Sequence, residues 1–172
     1  MKNNDSLIYW DSCVFLSYIN AEPERVNIIE DVWRNILNDK NKVLTSTISI
    51  VEVAHGSEEK INWKLDPSIM SLIDQIWSDP SINLVEFNEA IAEIARDLIR
   101  DSLPKKQILK SKDAIHLATA IWINKNFRPL NIFFTYDEGL IKYGPEVGFI
   151  ICQPYALQPG LLNLPKDQSP LN

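Results

Sequence analysis

Short apolar runs alternate along this chain with segments whose apolar residues recur at helical spacing, and that alternation restricts the fold more than any other feature. LIYW (7–10), KVLTS (42–46), SINLVEF (81–87), NIFFT (131–135) and GFIIC (148–152) have the length and apolar content of buried strands. Between the first two, Val26, Ile29, Trp33, Ile36 and Leu37 form one stripe over 21–39, with Pro23 flanked by Glu22 and Glu24 marking its start. Ile69, Leu72, Ile73, Ile76 and Trp77 fall at i, i+3, i+4, i+7 and i+8, and Ile91, Ile94, Ala95, Leu98 and Ile99 repeat that spacing behind Asn88 as a cap. The segment 112–127, capped by Ser111, is apolar on most sides and so is predicted to be a central, buried helix. Strands separated by helices return in the same direction, which implies a parallel sheet. The expected fold is therefore α/β, a three-layer sandwich of one five-stranded parallel sheet with helices on both faces.

The intervening segments read less regularly. Ser46 or Thr47 can cap the helix that carries Glu52, with Gly56 as its end. Residues 57–68 are polar and close on Asp66-Pro67, which predicts a loop. After Cys152 come Pro154, Pro159, Pro165 and Pro170, so a domain over 1–152 and an extended, proline-containing tail over 153–172 are expected. At 172 residues the chain can bury a core without disulfides or structural metal. No apolar run approaches the ~20 residues that span a bilayer, and the start shows no secretory leader pattern. Cys13 and Cys152 lack zinc-site spacing and read as free thiols in a reducing compartment, so a cytoplasmic protein with no membrane association is expected.

Four of the 23 acidic residues stand apart from the rest. Asp31, Glu93 and Asp97 lie opposite apolar stripes and read as solvated surface. Asp11 (IYWDSCVFL), Glu52 (TSTISIVEVAHG), Asp113 (SKDAIHLATAIW) and Asp137 (FFTYDEGL) instead follow strand-like runs or open the helix that comes next. In an open α/β sheet that is the ligand-binding edge. Asp11 and Glu52 sit in apolar sequence, where a carboxylate without a partner is costly. Asp113 also suits a first-turn acid favouring the helix dipole, and Asp137 a turn cap assisted by Thr135. Carboxylates gathered in one cleft repel one another unless a cation joins them. The chain offers only His55 and His116 for zinc and no calcium loop, so Mg²⁺ or Mn²⁺ fits the donors best. Such ions can activate water for phosphodiester hydrolysis.

Around these acids, Ser12, Thr135 and Ser46 are candidate supporting hydroxyls, with helix capping as the competing use of Ser46. His116, one turn beyond Asp113, reads first as a packed residue, with contact to substrate or donation to a carboxylate as the alternative. Lys105, Lys106, Lys110 and Lys112 are either a solvated loop or a phosphate guide, with Lys110 and Lys112 the candidate substrate contacts. The net charge of −6 argues against a general nucleic-acid coat but not against an acidic pocket loaded with cations. There is no G-x-S-x-G, no P-loop and no G-x-G-x-x-G.

These motifs resemble those of the PIN-domain nucleases across residues 6–152. YWDSCVFL is similar to the family's first motif, TSTISIVEV to its second, KDAIHLATA to its third and FFTYDEGL to its fourth. The resemblance implies that Asp11, Glu52, Asp113 and Asp137 are the metal-binding catalytic acids, with Ser12 and Thr135 as supporting hydroxyls. The similarity is greatest to the VapC-like branch, which implies a cytosolic RNA-cleaving toxin that dimerises and is silenced by an antitoxin protein. The stretch 57–80 and the proline-rich tail depart from the compact pattern of that branch. Three other readings are a housekeeping RNA-processing nuclease, a metal-binding scaffold that cuts nothing, and an aspartyl-phosphate phosphatase. The last wants a second Asp two residues past the first, where this chain has Cys13.

Overall fold

The computed structural model describes residues 7–38 and 41–155. Five strands, β1 (Leu7–Trp10), β2 (Lys42–Ser46), β3 (Ile82–Val85), β4 (Ile132–Phe134) and β5 (Ile150–Cys152), form one sheet in the order β3-β2-β1-β4-β5. Every neighbouring pair is parallel. The five predicted runs are thus the five strands, the first two residue for residue and the last three shortened. The helices are α1 (Ser12–Ile19), α2 (Arg25–Asn38), α3 (Ile48–Glu52), α4 (Ser57–Asn62), α5 (Pro67–Ser78), α6 (Glu89–Ser102), α7 (Ser111–Asn126), α8 (Glu138–Ile141) and α9 (Gly144–Val147).

Alternation along each strand divides the core into two layers. Leu7, Tyr9, Leu44, Phe133 and Ile151 face α6 and α7, joining Ile91, Ala95, Leu117 and Ala118. Ile8, Trp10, Val43, Ile132 and Phe134 face the other way, joining Val14, Phe15, Ile29, Val32, Ile73 and Ile76 of α1, α2 and α5. The stripes expected on α5 and α6 are those that pack, and the Asn88 side chain accepts from Ile91 N at 3.1 Å as the cap of α6.

Local elements differ from expectation in five places. Ser111 is the first residue of α7 instead of its cap, and Lys110 holds the cap position without a side-chain hydrogen bond. The segment after Asp11 is a helix, α1, whose apolar residues leave no polar face by which sequence could mark it. Gly56 does not end the helix of Glu52; α3 stops at Glu52 itself, and Gly56 caps α4. That short helix occupies part of the predicted loop 57–68, held by Glu59, which accepts from the backbone of Gly56 and Asp66. On α2 the buried stripe is Ile29, Val32 and Ile36, while Leu37 is half exposed, because the helix turns its Val32 face to α1 and the sheet. Of the predicted tail 153–172, only 153–155 fall within the described residues.

Candidate active site

Strand order decides where the chemistry can lie. The chain runs outward from β1 through β2 to β3, then returns to place β4 on the opposite side of β1. The carboxyl ends of β1 and β4 therefore flank the topological switch point, where an open parallel sheet leaves a crevice. Asp11 is the first residue past β1 and Thr135 the first past β4. Asp11 N donates to Phe134 O at 3.2 Å, and Thr135 Oγ1 donates to Asp11 Oδ2 at 2.6 Å. Residues 124 positions apart are thus locked together.

Asp11 is 4% exposed and caps α1, its Oδ1 accepting from Cys13 N at 2.8 Å. Burial raises its carboxyl above the ordinary range, against the opposing influence of His116, Cys13 and Thr135. Asp137 caps α8 with one oxygen, Oδ1, which accepts from Gly139 N at 2.6 Å; its own N–H donates to Thr135 Oγ1 at 2.9 Å. The capping use foreseen for Asp137 is therefore real and occupies only that oxygen. Asp113 lies in the first turn of α7. Its carboxyl is raised by burial first, then by the negative charge of Asp137, with Asp11 adding to the rise and Lys110 and His116 opposing it. The charges of Asp11 and Asp137, from two other segments, both reach Asp113.

Glu52 is positioned differently. Its Oε2 accepts from Ser12 Oγ at 2.8 Å and from His116 Nε2 at 2.7 Å, while Lys112 Nζ lies 3.3 Å from Oε1. Burial raises this carboxyl, but His116, Ser12 and Lys112 outweigh it and hold the group below its ordinary value. His116 is itself buried, with Nδ1 2.8 Å from the Tyr9 hydroxyl, and that hydroxyl accepts from Ser46 N at 3.1 Å. The imidazole thus bridges the Tyr9 hydroxyl at Nδ1 and Glu52 at Nε2, with an Nε2–H donating to the carboxylate. His116 is packed, as its sequence context suggested, yet it also serves a carboxylate.

Ser12 touches Glu52, and Thr135 touches the Asp11 carboxylate and the Asp137 backbone. Ser46 does not: its Oγ accepts from Ile48 N at 3.5 Å, the capping alternative, and its link to the site runs through its backbone N–H to Tyr9. Of the expected substrate contacts, Lys112 is drawn to Glu52 and Lys110 is exposed beside Asp113. Tyr9 is the participant that sequence reasoning missed, whereas His116 reads first as packed and only second as a carboxylate donor. Tyr9 is hidden inside an apolar strand, and the only signal for His116 was its place one turn from Asp113.

The cluster excludes some chemistries. Burial with the nearby charge of Asp11 pushes the Cys13 thiol far up, so it is not an activated nucleophile. Among the described residues, no three His, Cys, Asp or Glu side chains are grouped closely enough to hold a metal ion in the arrangement seen. The donors nearby are carboxylate oxygens, which suit a hard cation, and the charges of Asp137 and Asp11 reach Asp113, opposed by Lys110 and His116. A cavity of about 490 Å³ between α2 and α5, lined by Trp33, Leu72 and Ile76 among others, includes none of the four acids. Among the described residues no helix is long and apolar enough to cross a membrane.

Known proteins share this fold. Ribonuclease VapC47 of Mycobacterium tuberculosis (strain CDC 1551 / Oshkosh) is 26% identical over 161 residues, covering 88% of this chain and 100% of that protein. The crystal structure of VapBC2 from Rickettsia felis, bound to a DNA fragment from its promoter, superposes with a TM-score of 0.62 at 14% identity, over 86% of this chain and 98% of that one. Mycobacterium tuberculosis VapC20, a sarcin–ricin loop cleaving toxin, gives a TM-score of 0.58 at 14% identity, over 80% and 95% of the two chains. The family model of the PIN domain matches residues 8–144, a span that includes all four acids. From the strand that delivers Asp11 to the helices beyond Asp137, this chain belongs to the PIN-domain family.

Proposed function

We propose that this protein is a Mg²⁺- or Mn²⁺-dependent endoribonuclease, and the toxin of a toxin–antitoxin pair. The observation that carries the reading is the gathering of Asp11, Asp113 and Asp137 at the switch point, with Asp113 held above its ordinary range by burial and by its acidic neighbours. Likeness to proteins named a ribonuclease and a sarcin–ricin loop cleaving toxin supports RNA as the substrate.

The four acids would hold the ion, with Glu52 anchored by His116 and Ser12. The chemistry supplied by such an ion is charge neutralisation at the phosphate and activation of water. The protein's own part is to preorganise the donors. Thr135 and the Cys13 amide fix both oxygens of Asp11, so its orientation costs nothing at the moment of reaction. The Tyr9–His116 pair holds Glu52 ionised and directed. Lys110 and Lys112 stand at the start of α7, where they would meet the incoming phosphate. A cognate antitoxin and a homodimer complete the reading.

The test is cleavage of RNA by purified protein in the presence of Mn²⁺. Asp11→Asn is expected to lower the rate by at least about 100-fold, as loss of a preorganised electrostatic group does; equal cleavage by the variant ends the assignment. Growth arrest on expression, relieved by a small protein encoded beside it, distinguishes a toxin from a housekeeping nuclease.

A further inference from the structure

The lysines near the acidic cluster divide by whether their charge is already used. Lys112 is paired with Glu52, and Lys105 with Glu146 at 2.8 Å. Lys106 and Lys142 make no ion pair among the described residues, although they come from different segments, the turn after α6 and the residue following α8. Both line one cavity of about 260 Å³, together with Gln107, Leu109, Tyr143 and Asp113. Asp113 joins this cavity to the acidic site. Leu109 and Tyr143 are buried and supply an apolar floor, whereas Lys106, Gln107 and Lys142 are exposed at its edge.

The backbone adds a second observation. Lys106 has φ 56°, in the left-handed region where glycine is at ease and a lysine is strained. Its N–H closes a turn on Leu103 O at 3.0 Å, and Gln107 N returns to Ser102 O at 3.1 Å. This strained turn carries the chain from the end of α6 to Leu109 on the cavity floor. A strained residue beside an active site is a recurrent mark of function.

We propose that this cavity is the subsite for the nucleotide adjoining the scissile phosphate in single-stranded RNA. Lys106 and Lys142 bind that nucleotide's phosphate, its base lies on Leu109 and Tyr143, and the Gln107 amide meets the base edge. A nucleotide matches all three surfaces of the cavity, whereas an acidic peptide would satisfy only the two lysines. The net charge of −6 and the aspartates repel a polyanion, so unpaired cations beside them have a specific use. The assignment rests on the ribonuclease reading.

The test uses the full chain carrying Asp11→Asn, which holds RNA without cutting it, and the same chain with Lys106→Gly and Lys142→Gln added. Binding of a fluorescein-labelled single-stranded RNA of mixed sequence is followed by anisotropy across a salt series. The added pair is expected to weaken binding at least ~5-fold at low salt and to flatten the slope of log K against log salt by about 0.7 for each phosphate that is no longer neutralised. Thermal unfolding should show no loss of stability, since glycine suits the conformation at 106. An unchanged slope and affinity, while the unmutated protein cuts RNA, overturns the subsite and leaves the nuclease standing. Unchanged RNA binding with lost binding of an acidic peptide also overturns it, and gives the cavity to a protein partner. RNA neither bound nor cut by the parent overturns the ribonuclease reading and the subsite with it.

Discussion

Removing one oxygen atom, in Tyr9→Phe, tests the hydrogen-bonded chain that holds Glu52. Tyr9 is fully buried, and its ring stays packed in the variant, with the Phe133 centroid 4.7 Å away. What disappears is the hydroxyl between Ser46 N at 3.1 Å and His116 Nδ1 at 2.8 Å. Ser46 and His116 are both buried, at 0% and 2% exposure, so water cannot replace the missing partner. Stranding a buried polar group costs about 1–3 kcal/mol. Two stranded groups, with some relaxation, give a loss of about 2–4 kcal/mol, a large share of the ~5–15 kcal/mol by which a domain is stable. The assay is urea unfolding, read as a lowered midpoint at unchanged m. Because His116 loses the partner that orients its ring toward Glu52, RNA cleavage should fall as well. A double-mutant cycle with His116→Gln should return a coupling of about 0.5–3 kcal/mol. A stability change below ~0.5 kcal/mol, within the range of ordinary surface substitutions, would refute the network.

Three further outcomes follow from the same geometry. Thr135→Val removes the donor to Asp11 and the acceptor for Asp137 N, and should lower activity or Mn²⁺ affinity by about 10–100-fold, measured by cleavage rate and by titration of the metal. Gly139→Ala would bring a Cβ to 2.8 Å from Asp137 Oδ1, forcing that carboxylate aside; cleavage should drop about 10–100-fold while the urea midpoint barely moves. Asp113→Asn should abolish cleavage yet raise the melting temperature at pH 7. Because burial and then Asp137 raise the folded carboxyl of Asp113, its stability contribution is complete below the ordinary carboxylate pKa and is lost as pH rises through the raised value. The variant's advantage must therefore shrink to nothing as pH falls below about 4; a variant no more stable than the parent at pH 7 contradicts the like-charge account. Glu52 has the opposite sign, since its carboxyl is held low by partners that outweigh burial: its contribution is present above the ordinary value and fades as pH falls through the lowered one.

What could be read from the chain alone were the features set by near neighbours. Strand runs, the stripes of α5 and α6, the Asn88 cap and the placing of acids just past strands all depend on residues a few positions apart, so a linear pattern records them. Among the elements that escaped was α1, because Val14, Phe15 and Ile19 are buried and Ser17 with them, leaving no amphipathic period to detect. Gly56 was misread for a related reason: a glycine suits either end of a helix, and only the partners of Glu59 show that it begins one.

The sequence thus determined an α/β sheet with four carboxylates near its strand ends, and that much follows from periodicity and chain connectivity. Tertiary structure alone decided which strand lies beside β1. That choice brings Thr135 to Asp11 and makes the switch-point crevice. It also decided that Glu52 would be held by His116, 64 positions away, and that a tyrosine inside an apolar strand would support that histidine. The physical reason is that hydrogen bonds between distant residues leave no periodic trace in the chain. They form only when hydrophobic burial of the two sheet faces has already set the strand order.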